Sequence, residues 1–426
     1  MEKLQNEAIK NRLYLAVDYD DRAEAKGLGA QFDSSAKSWY IDSSKLGQAD
    51  FSKWIVKAAA EAVGLGKSTP EEDFTAFLKS EGVLITEAAV MDGKNHYVKM
   101  EGNKGSRKSG VYRAYNDENP QGFVMDYREG EPVKWRFSAE KRSLPERRAI
   151  EANSYVRSLR RADETLALRV GVAADSASFY AALPFSEKEN EYLVSKGVVT
   201  PQNARSVPKG FFCKKDTLVL PIVDLDRKIW SLQTIGASGF KMLKKDGLKE
   251  GNMIEVQGDY QSSKMVIVAE GYSTALSIAQ SIKIPVIAAI DAHNLDPVVR
   301  GIMHRHPELK VLVAGDDDHT LELDARGRVK KNVGVDQAII AGASAGIPPI
   351  FPLQSENRAK ADFNDMFVAQ GPASVKNHFN GHIDKHIIPL IDAADNTKAA
   401  SSKETEPTQS AAKKGSRVSR TQAQAL

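Results

Sequence analysis

Three acidic side chains, Glu270, Asp316 and Asp318, stand just past the ends of apolar runs, where open α/β sheets place their chemistry. Glu270 closes Met265-Val266-Ile267-Val268-Ala269. That run has no polar alternation, so both faces of the strand are expected to be buried. Asp316 and Asp318 follow Val311-Leu312-Val313-Ala314-Gly315 in the same manner. Neighbouring strands lie about 5 Å apart, and extended residues two positions apart point the same way. The three carboxylates are therefore able to converge. Together they do not stay ionised cheaply in a partly buried site. A hard divalent cation, Mg²⁺ or Mn²⁺, relieves the repulsion through oxygen ligands and phosphate partners. Strand-end acids that only cap helices and face water are the alternative.

The surrounding segments supply the positioning. Gly271 allows a sharp turn, and Ser273 or Thr274 is placed to cap the helix that follows. A strand is expected at 285–290, helices at 295–304 and 334–343, and an edge strand at 348–352. Tyr272 and His293 are expected to line the crevice. In Asp362-Phe363-Asn364-Asp365, either Asp362 or Asp365 reaches a metal as an outer ligand, or the pair caps the next helix. Upstream, a helix ends at Gly197, and strands at 218–224 and 229–235 are joined by Asp226-Arg227-Lys228. Lys241, Lys244 and Lys245 crowd around Gly247.

The N-terminal part divides into smaller pieces. Residues 13–42 read as a strand, a helix and a returning strand, with Phe32, Trp39 and Tyr40 either stacking on bases or, the favoured reading in so small a unit, forming its core. A helix is expected over 51–63. The following Gly64-Leu65-Gly66-Lys67-Ser68-Thr69 lacks the earlier glycine of a phosphate-binding loop, having Glu61 there, and reads as a linker. An amphipathic helix at 71–85 precedes four short alternating segments, at 97–100, 110–115, 122–127 and 133–137. These interleave aromatics with Arg107, Lys108, Arg113 and Lys134, and include Trp135. Such a module is either a single-strand-binding face or a small sheet with an aromatic core. Residues 139–168 form a charged connector helix whose arginines, Arg157, Arg160 and Arg161 among them, read as solvated.

Length and composition set bounds. The 426 residues suggest roughly three domains plus linkers. A net charge of only +3 does not announce a nucleic-acid binder, so local basic patches must carry that role. Cys213 is the one cysteine, which excludes an intrachain disulfide and a multi-cysteine zinc site. No zinc is expected. Met1–Arg12 has no apolar core and no long apolar run follows, so a soluble, cytoplasmic protein without membrane contact is expected. From Ala393 the chain has almost no large apolar residues and reads as a disordered basic tail.

Glu270-Gly271 after one strand, Asp316-x-Asp318 after a later one, and Ala361-Asp362-Phe363-Asn364-Asp365 further on resemble the Toprim domain. The surrounding segments are similar to DNA primases of plasmids and mobile elements. Tyr14-Leu15-Ala16-Val17 and Trp39-Tyr40 resemble a small uncharacterised domain often fused to them. The resemblance implies an α/β, multi-domain chain: a Rossmann-like parallel sheet core, a basic α+β primase subdomain, small α+β modules and the tail. The expected divisions are 1–66, 70–138, 139–168, 169–260, 261–380 and 393–426. It also implies primer synthesis from ribonucleoside triphosphates on a single-stranded DNA template, in replication or conjugation and alongside proteins of those processes. Asp316 and Asp318 would hold the metal. Glu270 would act as general base or share the ion, and Arg227, Lys241, Lys244 and Lys245 would guide template and nucleotide. A Toprim nuclease and an inactive nucleic-acid-binding accessory protein are the rivals.

Overall fold

The computed structural model describes residues 2–56, 69–128, 130–137, 143–186, 190–199, 204–207, 217–317, 332–353 and 361–393. Asp318, Cys213, residues 57–68 and the residues after 393 lie outside them, and with them most of the linker expected at 64–69. The described residues fall into two compact units, one up to Asp175 and one from Ser176 onward.

In the first unit, α1 (Glu2–Lys10) leads into β1 (Arg12–Leu15), α2 (Arg22–Gly27), β2 (Gln31–Asp33) and β3 (Ser38–Asp42). The strands form an antiparallel sheet in the order β1-β3-β2. Leu15, Val17, Ala25, Ile41, Phe51 and Trp54 make its core. Trp39 packs against that core, but Phe32 is 54% exposed, because β2 is an edge strand and turns it outward. Of the helix expected over 51–63, residues 57–63 lie outside the described residues; the described part is a 3₁₀ turn, Ser52–Trp54, flanked by extended Ile55, with Phe51 and Trp54 buried.

Next, α3 (Pro70–Ser80) starts with proline in its first turn and a capping box between Thr69 and Glu72. It packs on a four-stranded antiparallel meander of β4 (His96–Val98), β5 (Gly110–Tyr115), β6 (Gln121–Asp126) and β7 (Pro132–Arg136). Phe74 and Leu78 meet Tyr112, Ala114, Val124 and Trp135 there. The connector is one helix, α4 (Leu144–Ala182), which continues through residue 168. Its arginines are not simply solvated. Arg157 pairs with Asp117 and Glu118, Arg160 donates to the Lys10 carbonyl, and Arg161 lies 4.2 Å over the Tyr115 ring.

The second unit contains two sheets. After α5 (Glu191–Ser195) come β8 (Arg205–Val207), β9 (Thr217–Val223), β10 (Ile229–Ile235) and β11 (Lys241–Leu243), an antiparallel sheet in the order β11-β10-β9-β8. Then follow β12 (Ile254–Gln257), β13 (Met265–Ala269), α6 (Tyr272–Ser281), β14 (Val286–Ala288), α7 (Leu295–Arg305), β15 (Lys310–Ala314), α8 (Val333–Ala345) and α9 (Phe363–His386). This second sheet runs β12-β14-β13-β15. β13 is parallel to both neighbours, and β12 is antiparallel to β14.

The apolar run of β13 is buried on both sides, as its composition requires. Met265, Ile267 and Ala269 face the cluster containing α6 and α9, while Val266 and Val268 face α7 and α8. The expected edge strand at 348–352 is reduced to one bridge. Ile350 N–H donates to Val313 and its carbonyl accepts from Gly315, while the flanking prolines have no N–H to extend a ladder. Among the described residues, no helix is long and apolar enough to cross a membrane.

Candidate active site

The paired strands β13 and β15 end together. Ala269 is opposite Ala314 in parallel register, so Glu270 and Gly315 leave the sheet side by side and Asp316 follows. Gly315 is required by space, because a Cβ there would lie 2.6 Å from both Ala338 Cβ and Phe351 Cε1. Gly334, in the first turn of α8, plays the same part closer to the acids. A Cβ on it would sit 2.6 Å from the Asp316 carbonyl and 3.4 Å from Glu270 Oε2. The Glu270 carboxylate and the Asp316 backbone thus flank one point at the amino end of a helix. The helix dipole favours negative charge there. Asn332 caps that helix and donates to Asp317 Oδ1 at 2.6 Å.

Two expectations about nearby residues change. The cap of α6 is Gly271 with no side-chain bond, and Thr274 instead donates from Oγ1 to Asp316 Oδ1 at 3.3 Å. Tyr272 does not line the crevice: it is 2% exposed and belongs to the core, because the first turn of α6 points it inward. His293 is exposed on the short turn before α7.

A cleft of about 500 Å³ opens beside this point, lined by Tyr192, Lys196, Ser238, Lys241, Ser273 and Asp362 among others. A Cβ on Gly271 would lie 3.8 Å from Lys241 Nζ, so that ammonium reaches the turn directly after Glu270. Much of the Lys241 surface is exposed, yet its ammonium stands in a crowded concave wall. Desolvation there pushes its pKa below the usual lysine value. Asp316, Asp362 and Glu270 oppose that shift, and Lys196 adds to it. Lys196 is held by Asn364, which donates to its carbonyl at 2.7 Å and to Ser277 Oγ at 2.9 Å.

Asp362 and Asp365 are committed to a helix start. Asp362 accepts from the Asp365 N–H at 2.7 Å, and Asp365 accepts in return from Asp362 N–H. Burial raises the Asp362 pKa, and the neighbouring Asp365 charge adds to the rise. The Asp365 N–H and Lys196 work against it.

The remaining basic candidates separate. Arg227 lies at the β9–β10 turn, the opposite end of the hairpin from Ile235 and Lys241, about 20 Å away by strand rise. It is bound to Glu255 at 2.9 Å and Asp259 at 2.5 Å, so its charge is already matched. Lys244 and Lys245 are exposed beyond β11 and do not line the cleft. Trp135 cannot stack on a base. It is 8% exposed, donates to Asp73 and lies 4.8 Å from the Phe74 ring, because the alternation of β7 turns it toward α3. Arg107 and Lys108 are exposed, and Arg113 donates to Asn95 at 2.8 Å.

Glu270 and Asp316 offer hard oxygen donors at adjoining strand ends, which suits a divalent cation that keeps several waters. Among the described residues, no three acids or histidines come together at ligand spacing. The third proposed donor, Asp318, lies outside them. Sequence reasoning missed Lys196 and Gly334 and gave Thr274 the wrong partner. The Lys196-Gly197 step shows only as a helix stop, and Gly334 only as the start of an apolar helix.

A Toprim domain model matches residues 265–373, and a domain of unknown function, DUF5710, matches residues 12–55. A DNA primase TraC of Escherichia coli is 31% identical over 407 residues, covering 91% of this chain and 35% of the relative. A second is 29% identical over 386 residues, covering 88% and 26%. The chain thus spans about a third and about a quarter of the lengths of these curated relatives. The crystal structure of the zinc-binding and RNA polymerase domains of Aquifex aeolicus primase is 14% identical, with a TM-score of 0.35, covering 79% of this chain and 91% of that one.

Proposed function

We propose that this chain, whose residues 265–373 form a Toprim domain, is a DNA primase that builds RNA primers on single-stranded DNA. The observation that carries the reading is the shared exit of Glu270 and Asp316 from paired parallel strands, with Lys241 reaching the same turn. Similarity to DNA primases over most of the chain supports it. Asp316 and Asp318 would hold Mg²⁺ or Mn²⁺, which would supply charge stabilisation at the nucleotide phosphates.

The residues of this chain do the rest. Glu270 accepts the proton of the attacking 3′-hydroxyl or shares the ion. The new bond joins that oxygen to the α-phosphorus, and the bond to the bridging oxygen breaks as pyrophosphate leaves. Lys241 and Lys196 face the triphosphate from the cleft wall. The setting is complementary-strand initiation on a plasmid or another mobile element, in the cytoplasm. Asp362 serves as a helix cap, with Lys196 beside it.

A Toprim nuclease would use the same acids with water as nucleophile, but it has no need of two lysines over a cleft roomy enough for a nucleotide. Single-stranded DNA incubated with labelled ribonucleotides and Mg²⁺ distinguishes the readings. Primer-length products are expected, and Asp316→Ala is expected to abolish them with DNA binding kept. Cutting of the template would identify the nuclease, and full synthesis by Asp316→Ala would refute the assignment.

A further inference from the structure

We propose that the face of the β4–β7 sheet turned away from α3 is a binding surface for single-stranded nucleic acid. The register decides which residues share that face. Tyr97, Val111 and Met125 are cross-strand partners on β4, β5 and β6, and Arg113, Phe123 and Lys134 are partners on β5, β6 and β7. Each lies one position from a residue that packs on α3, namely Tyr112, Val124 or Trp135 or its neighbours in register, so each points the other way. Val111 is 2% exposed and Arg161 lies over the Tyr115 ring on the same face, so the accessible part is the stretch of Tyr97, Tyr127, Phe123, Lys134 and Arg136 around them. The hydrophobic cluster of the module draws strand residues from the α3 side alone.

The chemistry of this second face is uneven in a way that selects its ligand. Within the four strands it carries Arg113, Lys134 and Arg136 and no carboxylate, whereas Asp126 lies on the α3 side. Lys134 and Arg136 are exposed. Tyr97 is 54% exposed and Tyr127, just past β6, is 53% exposed. These two stand close together, since Tyr97 interacts with the Tyr127 hydroxyl. Phe123 lies between the basic partners, half-buried. Cations about one strand spacing from flat aromatic faces match a polymer that alternates phosphates with unpaired bases. A duplex satisfies only the cations, because its base faces are already stacked. This surface replaces the buried Trp135 as the place where bases would stack. It is independent of the chemistry at Glu270 and Asp316.

Anisotropy of fluorescein-labelled oligothymidylate with the full chain, across a salt series, tests it. Tyr97→Ala with Tyr127→Ala is expected to weaken binding about tenfold or more, the usual consequence of losing base stacking. Lys134→Glu with Arg136→Glu is expected to weaken binding and flatten the salt dependence by about 0.7 in log–log slope per lost phosphate contact. Lys79→Glu, at the far end of α3, is expected to change neither. Thermal melts of each variant establish that it folds. Unchanged affinity and slope in both double variants would overturn the proposal. So would loss of self-association with single-strand binding intact, which would make the face a contact between copies, or an equal loss of duplex binding in the tyrosine variant. Asp316→Ala is expected to bind oligothymidylate normally, so failure of this surface and failure of the catalytic reading give different results.

Discussion

Thr274, 1% exposed in the first turn of α6, donates its hydroxyl to Asp316 across the gap between two strand ends. The 3.3 Å contact ties the helix after β13 to the acid after β15. Its value lies in aim, since one hydrogen bond contributes only about 1 kcal/mol net. Thr274→Val keeps the shape and removes the donor. The variant is expected to melt within a few degrees of the parent. It should need more Mg²⁺ for half-maximal primer synthesis and lose about fivefold in turnover, which corresponds to about 1 kcal/mol. A magnesium titration beside a thermal melt checks this. An unchanged metal requirement would reduce Thr274 to packing.

Asn153 on α4 holds β1 as a neighbouring strand would. Its Oδ1 accepts from Tyr14 N–H at 2.8 Å and its Nδ2 donates to the Tyr14 carbonyl at 2.9 Å. The residue is 6% exposed. Asn153→Ala strands a buried backbone donor and acceptor together, at about 1–3 kcal/mol each. Chemical denaturation of the full chain is expected to show destabilisation of about 2–6 kcal/mol in the N-terminal unit, with primer chemistry per folded molecule unchanged. Asn153→Asp, which keeps only the acceptor, should fall between.

The sheet around the acids was legible because a buried parallel strand leaves an unmistakable run. Met265–Ala269 and Val311–Ala314 contain no polar residue, and both proved buried on two faces. The exit of Glu270 beside Gly315 follows from that run and from Gly271. The basic residues were less legible, because exposure and pairing depend on register. Arg227 and Lys241 look alike in sequence, yet one closes a turn on Glu255 and the other reaches the site, from opposite ends of β10. Trp135 and Lys134 differ by one position and therefore by a whole side of the sheet. Period-two alternation predicts that such neighbours part company but not which of them meets α3. Thr274 was read as a cap because the residue type suits one. Its real partner, Asp316, is 42 positions away, and no local pattern records that.

Asp362 carries a pH signature. Burial raises its pKa from the ordinary value of 3.8. An acid raised on folding adds stability that is complete below its unfolded pKa and is lost as pH climbs through its folded pKa. Above that folded pKa the contribution is gone and a partly buried charge remains. Asparagine caps helices as well as aspartate does, so Asp362→Asn keeps the bond from Asp365 N–H without the charge. The variant is expected to be at least as stable as the parent at pH 7, with the parent gaining on it as pH falls toward about 4. Melting temperatures of both proteins over that range decide the matter. A parent that is the more stable at pH 7 would mean that the Asp362 charge is used, with Lys196 a neighbouring cation.

Glu270 and Asp316 leave neighbouring strands, but the proposed chemistry gives them different duties, and their amide variants should fail differently. An amide in place of a metal ligand weakens the ion's hold, which excess Mg²⁺ or the tighter-binding Mn²⁺ partly restores. An amide in place of a general base removes the proton acceptor, and no ion concentration returns it. Asp316→Asn is therefore expected to regain primer synthesis in part as Mn²⁺ is raised. Glu270→Gln is expected to stay about 10²–10⁴-fold down at saturating metal, the range typical of a lost acid–base group. Raising pH lifts the hydroxide concentration and partly substitutes for a missing base, so the deficit of Glu270→Gln should shrink in alkaline buffer while that of Asp316→Asn should not. Turnover measured over a grid of pH and Mn²⁺ concentration separates the roles. If Glu270→Gln were rescued by metal as readily as Asp316→Asn, then Glu270 would be a ligand and the 3′-hydroxyl proton would leave by another route.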